Sequence, residues 1–171
     1  MSNKDFEGEN AIVTGGATGI GESTARILAD RGATVTIFDI NQDGAERVSS
    51  SINDNGGKAF PSITDLTNWE ATDNAVKKAK SREKRLDIVV HSAGGFPKYV
   101  SLLDCPIETW EGILDSNLKS MFYLLKAAAP LMIENKYGRF VSLSSMAARS
   151  GTNPNPPHYT AAKGGVLALT R

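Results

Sequence analysis

The chain has 171 residues, of which 40% are hydrophobic and 22% are charged, and its 19 basic side chains balance 19 acidic ones. This length and composition are typical of one globular domain with a substantial core. A neutral balance leaves no basic surface for nucleic acid or a charged membrane, so we predict neither partner. The single cysteine, Cys105, allows no internal disulfide and no thiolate metal site. Together with the absence of an apolar leader at the start, this favours a reducing, cytoplasmic setting without a bound metal.

Five short apolar runs predict strands, and longer helical patterns separate them. The strands are predicted at 11–14, 33–39, 58–62, 86–91 and 138–145. Alternating strands and helices, with nearly continuous apolar strands, are typical of a parallel sheet that helices cover on both faces. The sequence therefore predicts an α/β fold, formed by a single domain over residues 1–171.

Three amphipathic helices are predicted between the first four strands. The first has an apolar face that carries Ile20, Thr24, Ile27 and Leu28. A more polar helix follows at 41–55, and the third begins at a capping box formed by Thr67 and Glu70.

The longest helical pattern covers residues 107–135 and is predicted to be mostly buried. Its broad apolar face carries Trp110, Ile113, Leu114, Leu118, Met121, Phe122 and Leu125. The proline-rich stretch 153–157 predicts a loop between the last strand and the final helix.

A glycine turn joins the first strand to the first helix. Gly15, Gly19 and Gly21 lie where side chains would obstruct the turn, the approach of a phosphate, or the packing of the helix on the strand. The helix start behind such a turn presents unpaired N–H groups and a positive dipole end. We therefore predict that a pyrophosphate binds here, although glycines that simply end a strand are the alternative.

Two acidic residues follow the next strands and are candidates for contacts with the cofactor. Asp39 ends the second strand, where a carboxylate can accept hydrogen bonds from both hydroxyls of an adenosine ribose and would repel a 2′-phosphate. No arginine or lysine stands in the turn at 16–18, so we predict NAD rather than NADP. Asp65 is assigned either to the adenine edge or to the cap of the third helix.

Tyr159 and Lys163 are four residues apart in the final helix, which places both side chains on one face. A phenol titrates near 10, and a nearby ammonium favours its ionised form, so such a pair can exchange protons near neutral pH. The alternative is a chance pair whose lysine is simply solvated.

These motifs occur together in an order that resembles the classical short-chain dehydrogenases/reductases. The matching segments are TGGATGIG at 14–21, HSAG at 91–94, Asn117, the serine pair 144–145 and YTAAK at 159–163. The resemblance implies a Rossmann-type doubly wound parallel sheet and an NAD(H)-dependent oxidoreductase that interconverts a secondary alcohol and a ketone. The alternative is a non-catalytic dinucleotide-binding or assembly module.

The resemblance also implies roles for individual residues. Tyr159 would be the general acid/base, and Lys163 would hold the nicotinamide ribose and favour the ionised tyrosine. Ser145 would hydrogen-bond the substrate oxygen, with Ser144 as the fallback. Asn117 would hold a water of the proton relay, although the capping of a local kink in the long helix would also satisfy this polar side chain. A further set of residues would contact the cofactor: Thr18, Ile20, Leu66, Ala93 and Gly94.

Three departures from the family pattern stand out. His91 replaces the first asparagine of the usual Asn-Asn-Ala-Gly. Tyr159 follows Ser145 by 14 positions in the sequence, one more than is common. The family continues beyond Arg171, so we expect a truncated chain in which the last strands are missing and the fifth strand is an edge.

The resemblance implies a homo-oligomer, a tetramer or dimer, that uses the long helix and the last helix.

Overall fold

The fold is built around a parallel β-sheet. The computed structural model describes residues 4–96, 98–149 and 156–171. Within them, five strands pair in the order β3-β2-β1-β4-β5, and all the pairings are parallel. The strands are β1 (Asn10–Thr14), β2 (Thr34–Asp39), β3 (Lys58–Ile63), β4 (Ile88–His91) and β5 (Arg139–Ser142). The predicted α/β fold is therefore confirmed, whereas the assignment of residues 1–171 to one domain stays a prediction.

Six α-helices lie on the two faces of the sheet in the described part of the chain. They are α1 (Gly19–Asp30), α2 (Gln42–Asp54), α3 (Trp69–Glu83), α4 (Ile107–Leu114), α5 (Ser120–Glu134) and α6 (Pro157–Leu169). One apolar cluster packs α1 and α2 against the sheet, and a second packs α3 and α5 against the other face. Successive strand residues such as Ile12 and Val13 contribute to opposite clusters, because their side chains alternate between faces.

The predicted apolar face of α1 is wrong at Ile20 and Ile27, whereas Leu28 is buried as predicted. Ile20 and Ile27 are 64% and 55% exposed, whereas the buried residues of the helix are Gly21, Ala25, Leu28 and Ala29. The tight turn brings the helix close to the sheet, so small residues form most of its inner face.

The predicted capping box of α3 is also wrong by one residue. The side chain of Asn68 caps the helix, and its Oδ1 accepts from the N–H of Ala71 at 2.9 Å. Thr67 instead donates its N–H and its hydroxyl to Oδ1 of Asp65.

The long helix predicted at 107–135 is interrupted at its centre. A π-helical segment, Asp115–Lys119, separates α4 from α5. π-Segments often occur at functional sites, and this one contains the buried Asn117. Burial is also less complete than predicted, since Phe122 is 45% exposed.

The fifth strand lies at the sheet edge, as expected, but is shorter than predicted. In the described residues it pairs only with β4. The predicted loop at 153–157 falls mostly on residues outside the described ranges. None of the helices described is long and apolar enough to cross a membrane.

Candidate active site

Three glycines shape the turn after β1, each for its own steric reason. A Cβ on Gly15, whose φ is +63°, would lie 3.0 Å from the backbone of Ala93. A Cβ on Gly21 would collide with the carbonyl of Gly15, so this glycine lets α1 pack against the turn. A Cβ on Gly19 would meet no protein atom within 4 Å, so it would project into open space at the helix start. Two of the three constraints that the sequence suggests, the tight turn and the packing of the helix, are thus met by contacts within the protein, whereas the approach of a phosphate at Gly19 stays a prediction.

A cavity of about 590 Å³ lies beside this turn, at the carboxyl ends of β1, β2 and β4. Nine of the predicted cofactor contacts line it: Gly15, Thr18, Gly19, Ile20, Asp39, Asp65, Leu66, Ala93 and Gly94. The predicted contacts Gly21, Tyr159 and Lys163 are not among its lining residues. The lining also includes two hydroxyls that the sequence reasoning missed, Ser116 and Ser120. Ser116 and Ser120 are four residues apart and so lie on one face of the interrupted helix, next to Asn117. This spacing is the signal that could have identified them.

The two acidic candidates each accept two hydrogen bonds, on both oxygens in Asp39 and on one oxygen in Asp65. Asp39 accepts the N–H of Ala17 through Oδ2 at 2.9 Å and the N–H of Asn41 through Oδ1 at 3.0 Å. A carboxylate offers about four lone-pair positions, so Asp39 keeps acceptor capacity towards the cavity. Asp65 uses one oxygen, Oδ1, to order the turn at Thr67, and it also lines the cavity. Its side chain therefore acts in the turn before α3 without capping the helix itself.

No arginine or lysine stands in the turn at 16–18, but the structure places a cation from another helix beside it. Arg47 reaches the turn from α2, where its Nη2 donates to the carbonyl of Ala17 at 2.9 Å. The same guanidinium forms a bidentate pair with Glu22, at 2.8 and 3.1 Å. Hydrogen bonding with Arg47 is the main reason that the pKa of Glu22 falls to about 2. Sequence reasoning missed this arginine because it lies 30 residues after Ala17 in the chain.

Tyr159 and Lys163 face the same side of α6. The ammonium nitrogen of Lys163 is 5.7 Å from the centroid of the Tyr159 ring. Lys163 is buried, it donates to the carbonyl of Leu143 at 2.9 Å, and burial lowers its pKa. The ring centroids of Phe96 and Tyr159 are 4.7 Å apart, so the loop after β4 contacts the tyrosine.

The two candidate serines are placed differently. Ser144 donates its hydroxyl to the carbonyl of Lys163 at 2.8 Å, which ties the end of β5 to α6. Ser145 accepts the N–H of Ala147 at 3.1 Å and so caps a short 3₁₀ turn, Met146–Ala148. An accepting hydroxyl keeps its own proton to donate, so Ser145 is the serine suited to bind a substrate oxygen.

Asn117 connects the π-helical segment to the loop after β4. Its Oδ1 accepts the N–H of Gly95 at 2.8 Å, and its Nδ2 donates to the carbonyls of Gly95 and Ile113, both at 2.9 Å. The amide thus fixes the loop that carries Phe96. It also satisfies the Ile113 carbonyl, whose helical partner is displaced where the π-segment begins.

His91 ends β4 in the floor of the site and is completely buried. Its Nε2 lies 3.1 Å from the hydroxyl of Ser120, and Ser120 itself donates to the carbonyl of Ser116. Ser120 is therefore the acceptor, and Nε2 carries the ring proton. Burial, together with the charge of Lys163, lowers the pKa of His91 to about 4. The ring is neutral at pH 7.

A parallel sheet with a glycine turn at its first crossover and an acidic residue at the end of the second strand is typical of dinucleotide-binding proteins. The family model for short chain dehydrogenases matches residues 9–171. The chain belongs to this family of oxidoreductases.

Similar proteins include sugar-acid and cyclic alcohol dehydrogenases. The chain is 35% identical over 167 residues to 2-dehydro-3-deoxy-L-rhamnonate dehydrogenase (NAD(+)) of Sphingomonas sp. (strain SKA58), covering 97% of this chain and 65% of that protein. It is 35% identical to cyclohexanol dehydrogenase of Acinetobacter sp. (strain SE19), covering 100% of this chain and 67% of that protein. The structure of NAD⁺-bound xylitol dehydrogenase matches with a TM-score of 0.92 at 31% identity, covering 97% of this chain and 64% of that one. The chain thus spans about two thirds of the length of these proteins.

Proposed function

We propose that this chain is the cofactor-binding and catalytic part of an NAD(H)-dependent oxidoreductase that interconverts a secondary alcohol and a ketone. The observation that carries the proposal is the single cavity that joins the glycine turn, the start of α1 and the carboxylate of Asp39. The pair formed by Tyr159 and Lys163 supports the chemistry.

The residues around the cavity fit a dinucleotide. The space above Gly19 is open to a phosphate, and a side chain there would fill it. Thr18, the first residue before α1, makes no side-chain cap in the described structure, which leaves the helix start to an anionic ligand. Ile20 and Leu66 offer apolar contacts, and Ala93 and Gly94 would contact the cofactor from the loop after β4. Asp65 would face the adenine end.

NAD is proposed over NADP because of the charge at the ribose end. The free acceptor capacity of Asp39 suits two ribose hydroxyls, and its negative charge opposes a 2′-phosphate. The NAD(+) in the name of the Sphingomonas relative and the NAD⁺-bound xylitol dehydrogenase structure support the same choice.

Four residues of this chain would perform the proton chemistry, while a bound nicotinamide supplies hydride transfer. Ser145 would donate its hydroxyl to the substrate oxygen, and Tyr159 would exchange a proton with that oxygen. Lys163, whose ammonium nitrogen lies 5.7 Å from the centroid of the Tyr159 ring, would hold the nicotinamide ribose beside the tyrosine. Asn117 would hold a relay water.

The substrate is proposed to be a small-molecule alcohol or ketone, as for the relatives named after such compounds. The homo-oligomer implied by the family resemblance and the cytoplasmic location favoured by the single cysteine both stay predictions.

Replacing Tyr159 by phenylalanine tests the chemical part of the proposal. Because general acid/base catalysis contributes about 10²- to 10⁴-fold, Tyr159→Phe should lower kcat by that factor and leave the NADH dissociation constant almost unchanged. Turnover is measured by nicotinamide absorbance with a panel of secondary alcohols and ketones, and binding by NADH fluorescence. Tyr137→Phe is the matched control, because its phenol contacts Glu9 at the opposite end of the sheet.

Two outcomes would contradict this assignment in different ways. Unchanged turnover in Tyr159→Phe would refute the role of the tyrosine. NADH binding without turnover of any substrate would favour the second candidate, a dinucleotide-binding or assembly module. That candidate is supported by the position of the turn and both acidic residues, which all precede residue 70.

A further inference from the structure

A charge network borders the ribose end of the cavity and has no part in the chemistry proposed above. Glu22, in the first turn of α1, accepts hydrogen bonds from two arginines. Arg26 binds its Oε1 at 2.9 and 3.1 Å, and Arg47 binds both of its oxygens. One carboxylate thus restrains two guanidinium groups at the glycine turn.

This network is connected to the ribose end through one residue. Ala17 donates its N–H to Asp39, and its carbonyl accepts from Arg47. The carboxylate that faces the ribose and the guanidinium of Arg47 therefore flank the same residue. Arg47 is also half exposed, with 55% of its side chain accessible, so its charge is open to the solvent beside the cavity.

The four charges around Ala17 balance. Asp39 and Glu22 are acidic, and Arg26 and Arg47 are basic, so these four side chains together carry no net charge, and of the four only Asp39 lines the cavity. Without Glu22, two guanidinium groups would face one carboxylate, and the excess positive charge would attract a phosphate on the 2′-oxygen.

We propose that Glu22 is a second specificity-determining residue, which works with Asp39 to disfavour NADP by holding and neutralising Arg47. The inference rests on the proposed binding of a nicotinamide dinucleotide in this cavity. Glu22 is a positioning residue, since it acts through Arg47 and does not line the cavity. Preference for NAD therefore depends on a residue outside the ribose contact as well as on Asp39.

The test measures binding of the adenosine half alone, so it does not depend on turnover. Dissociation constants of 2′,5′-ADP and 5′-AMP are determined by calorimetry for the parent chain and for Glu22→Gln. We expect the variant to improve the affinity for 2′,5′-ADP, relative to 5′-AMP, by about fivefold at low salt. At about 0.5 M salt, where the Debye length is about 4 Å, most of this gain should disappear.

Three further variants separate this role from a structural one. Glu22→Gln combined with Arg47→Gln should lose the gain, because the cation that Glu22 restrains is absent. Arg26→Gln should lower the affinity for 2′,5′-ADP relative to 5′-AMP, since Glu22 then pairs with Arg47 alone. Glu46→Gln is the matched control, because this carboxylate adjoins Arg47 in sequence but contacts Gln42.

The outcomes distinguish the inference from the proposed function. If the parent binds NADH and 5′-AMP but Glu22→Gln changes only the melting temperature, or changes the preference no more than Glu46→Gln, the inference is wrong. If Glu22→Gln does not fold, an unchanged preference in Arg26→Gln also overturns it. If the parent binds neither NADH nor 5′-AMP, the proposed function itself fails, and the inference fails with it.

Discussion

The buried His91 should make the fold sensitive to mild acid. Its Nε2–H donates to Ser120, and Nδ1 has no hydrogen-bond partner among the described residues. A second ring proton would therefore meet no acceptor, and the buried ammonium of Lys163 adds repulsion. The neighbouring strand residues, Thr14 and Ser142, carry no charge that would offset it.

The pKa difference gives the size of the effect. The pKa of His91 is about 4 in the folded protein and about 6.5 as an ordinary histidine. Above pH 6.5 the ring is neutral in both states and contributes nothing. Below 6.5 the unfolded chain takes up a proton that the folded chain rejects, so the free energy of unfolding falls by about 1.4 kcal/mol per pH unit. The loss should reach about 2 kcal/mol at pH 5 and about 3 kcal/mol below pH 4.

Urea unfolding at pH 7 and pH 5 checks this prediction in the parent and in His91→Asn, which has the residue usual for the family. The parent should lose about 2 kcal/mol more than the variant between the two pH values, even if the variant is less stable at pH 7. Because every other group titrates in both proteins, the difference isolates His91. Equal losses of unfolding free energy in the parent and the variant would refute the reasoning. An NMR titration of the His91 imidazole with a midpoint near 6.5 would refute it as well.

Two further predictions concern packing and a buried charge. Gly21→Ala should lower the free energy of unfolding by about 1 to 3 kcal/mol, because its Cβ would overlap a backbone carbonyl. Gly112→Ala, in an exposed helical position with open space around it, should instead stabilise the fold by up to about 1 kcal/mol in urea unfolding. Asp87→Ala should cost about 2 kcal/mol, because it leaves the N–H of Asn10 buried without an acceptor. Asp73→Ala, which removes an exposed ion pair with Lys77, should change the free energy of unfolding by less than about 0.5 kcal/mol, and equal effects of the two aspartates would contradict this account.

The sheet and the glycine turn could be predicted because their signals are local. Apolar runs identify the strands from neighbouring residues, and the three glycines of the turn lie within seven residues of one another. Gly21 meets a constraint set by the strand-turn-helix unit itself, because a Cβ there would collide with the carbonyl of Gly15, whereas the contact of Gly15 with Ala93 involves the distant loop after β4. Constraints within the unit can be inferred without knowing how the rest of the chain folds.

The errors come from contacts that join distant segments. The exposure of Ile20 and Ile27 depends on how closely α1 approaches the sheet, which hydrophobic periodicity does not report. Arg47 reaches the glycine turn only because α1 and α2 lie side by side on one face of the sheet. A search for cations limited to the turn could not detect it.

Asn117 shows how the structure narrows a role for which the sequence allowed two explanations. A relay water and the satisfaction of a local kink both accounted for a polar residue among apolar ones. A π-helical segment interrupts the helix at this residue, and the side-chain amide donates to two carbonyls, Gly95 and Ile113, which engages both of its N–H groups. One lone pair of Oδ1 is taken by the N–H of Gly95, so a single acceptor position remains. A relay water held by this side chain would therefore have to donate a hydrogen bond to Oδ1, which would leave its oxygen lone pairs to accept from a donor such as the ammonium of Lys163.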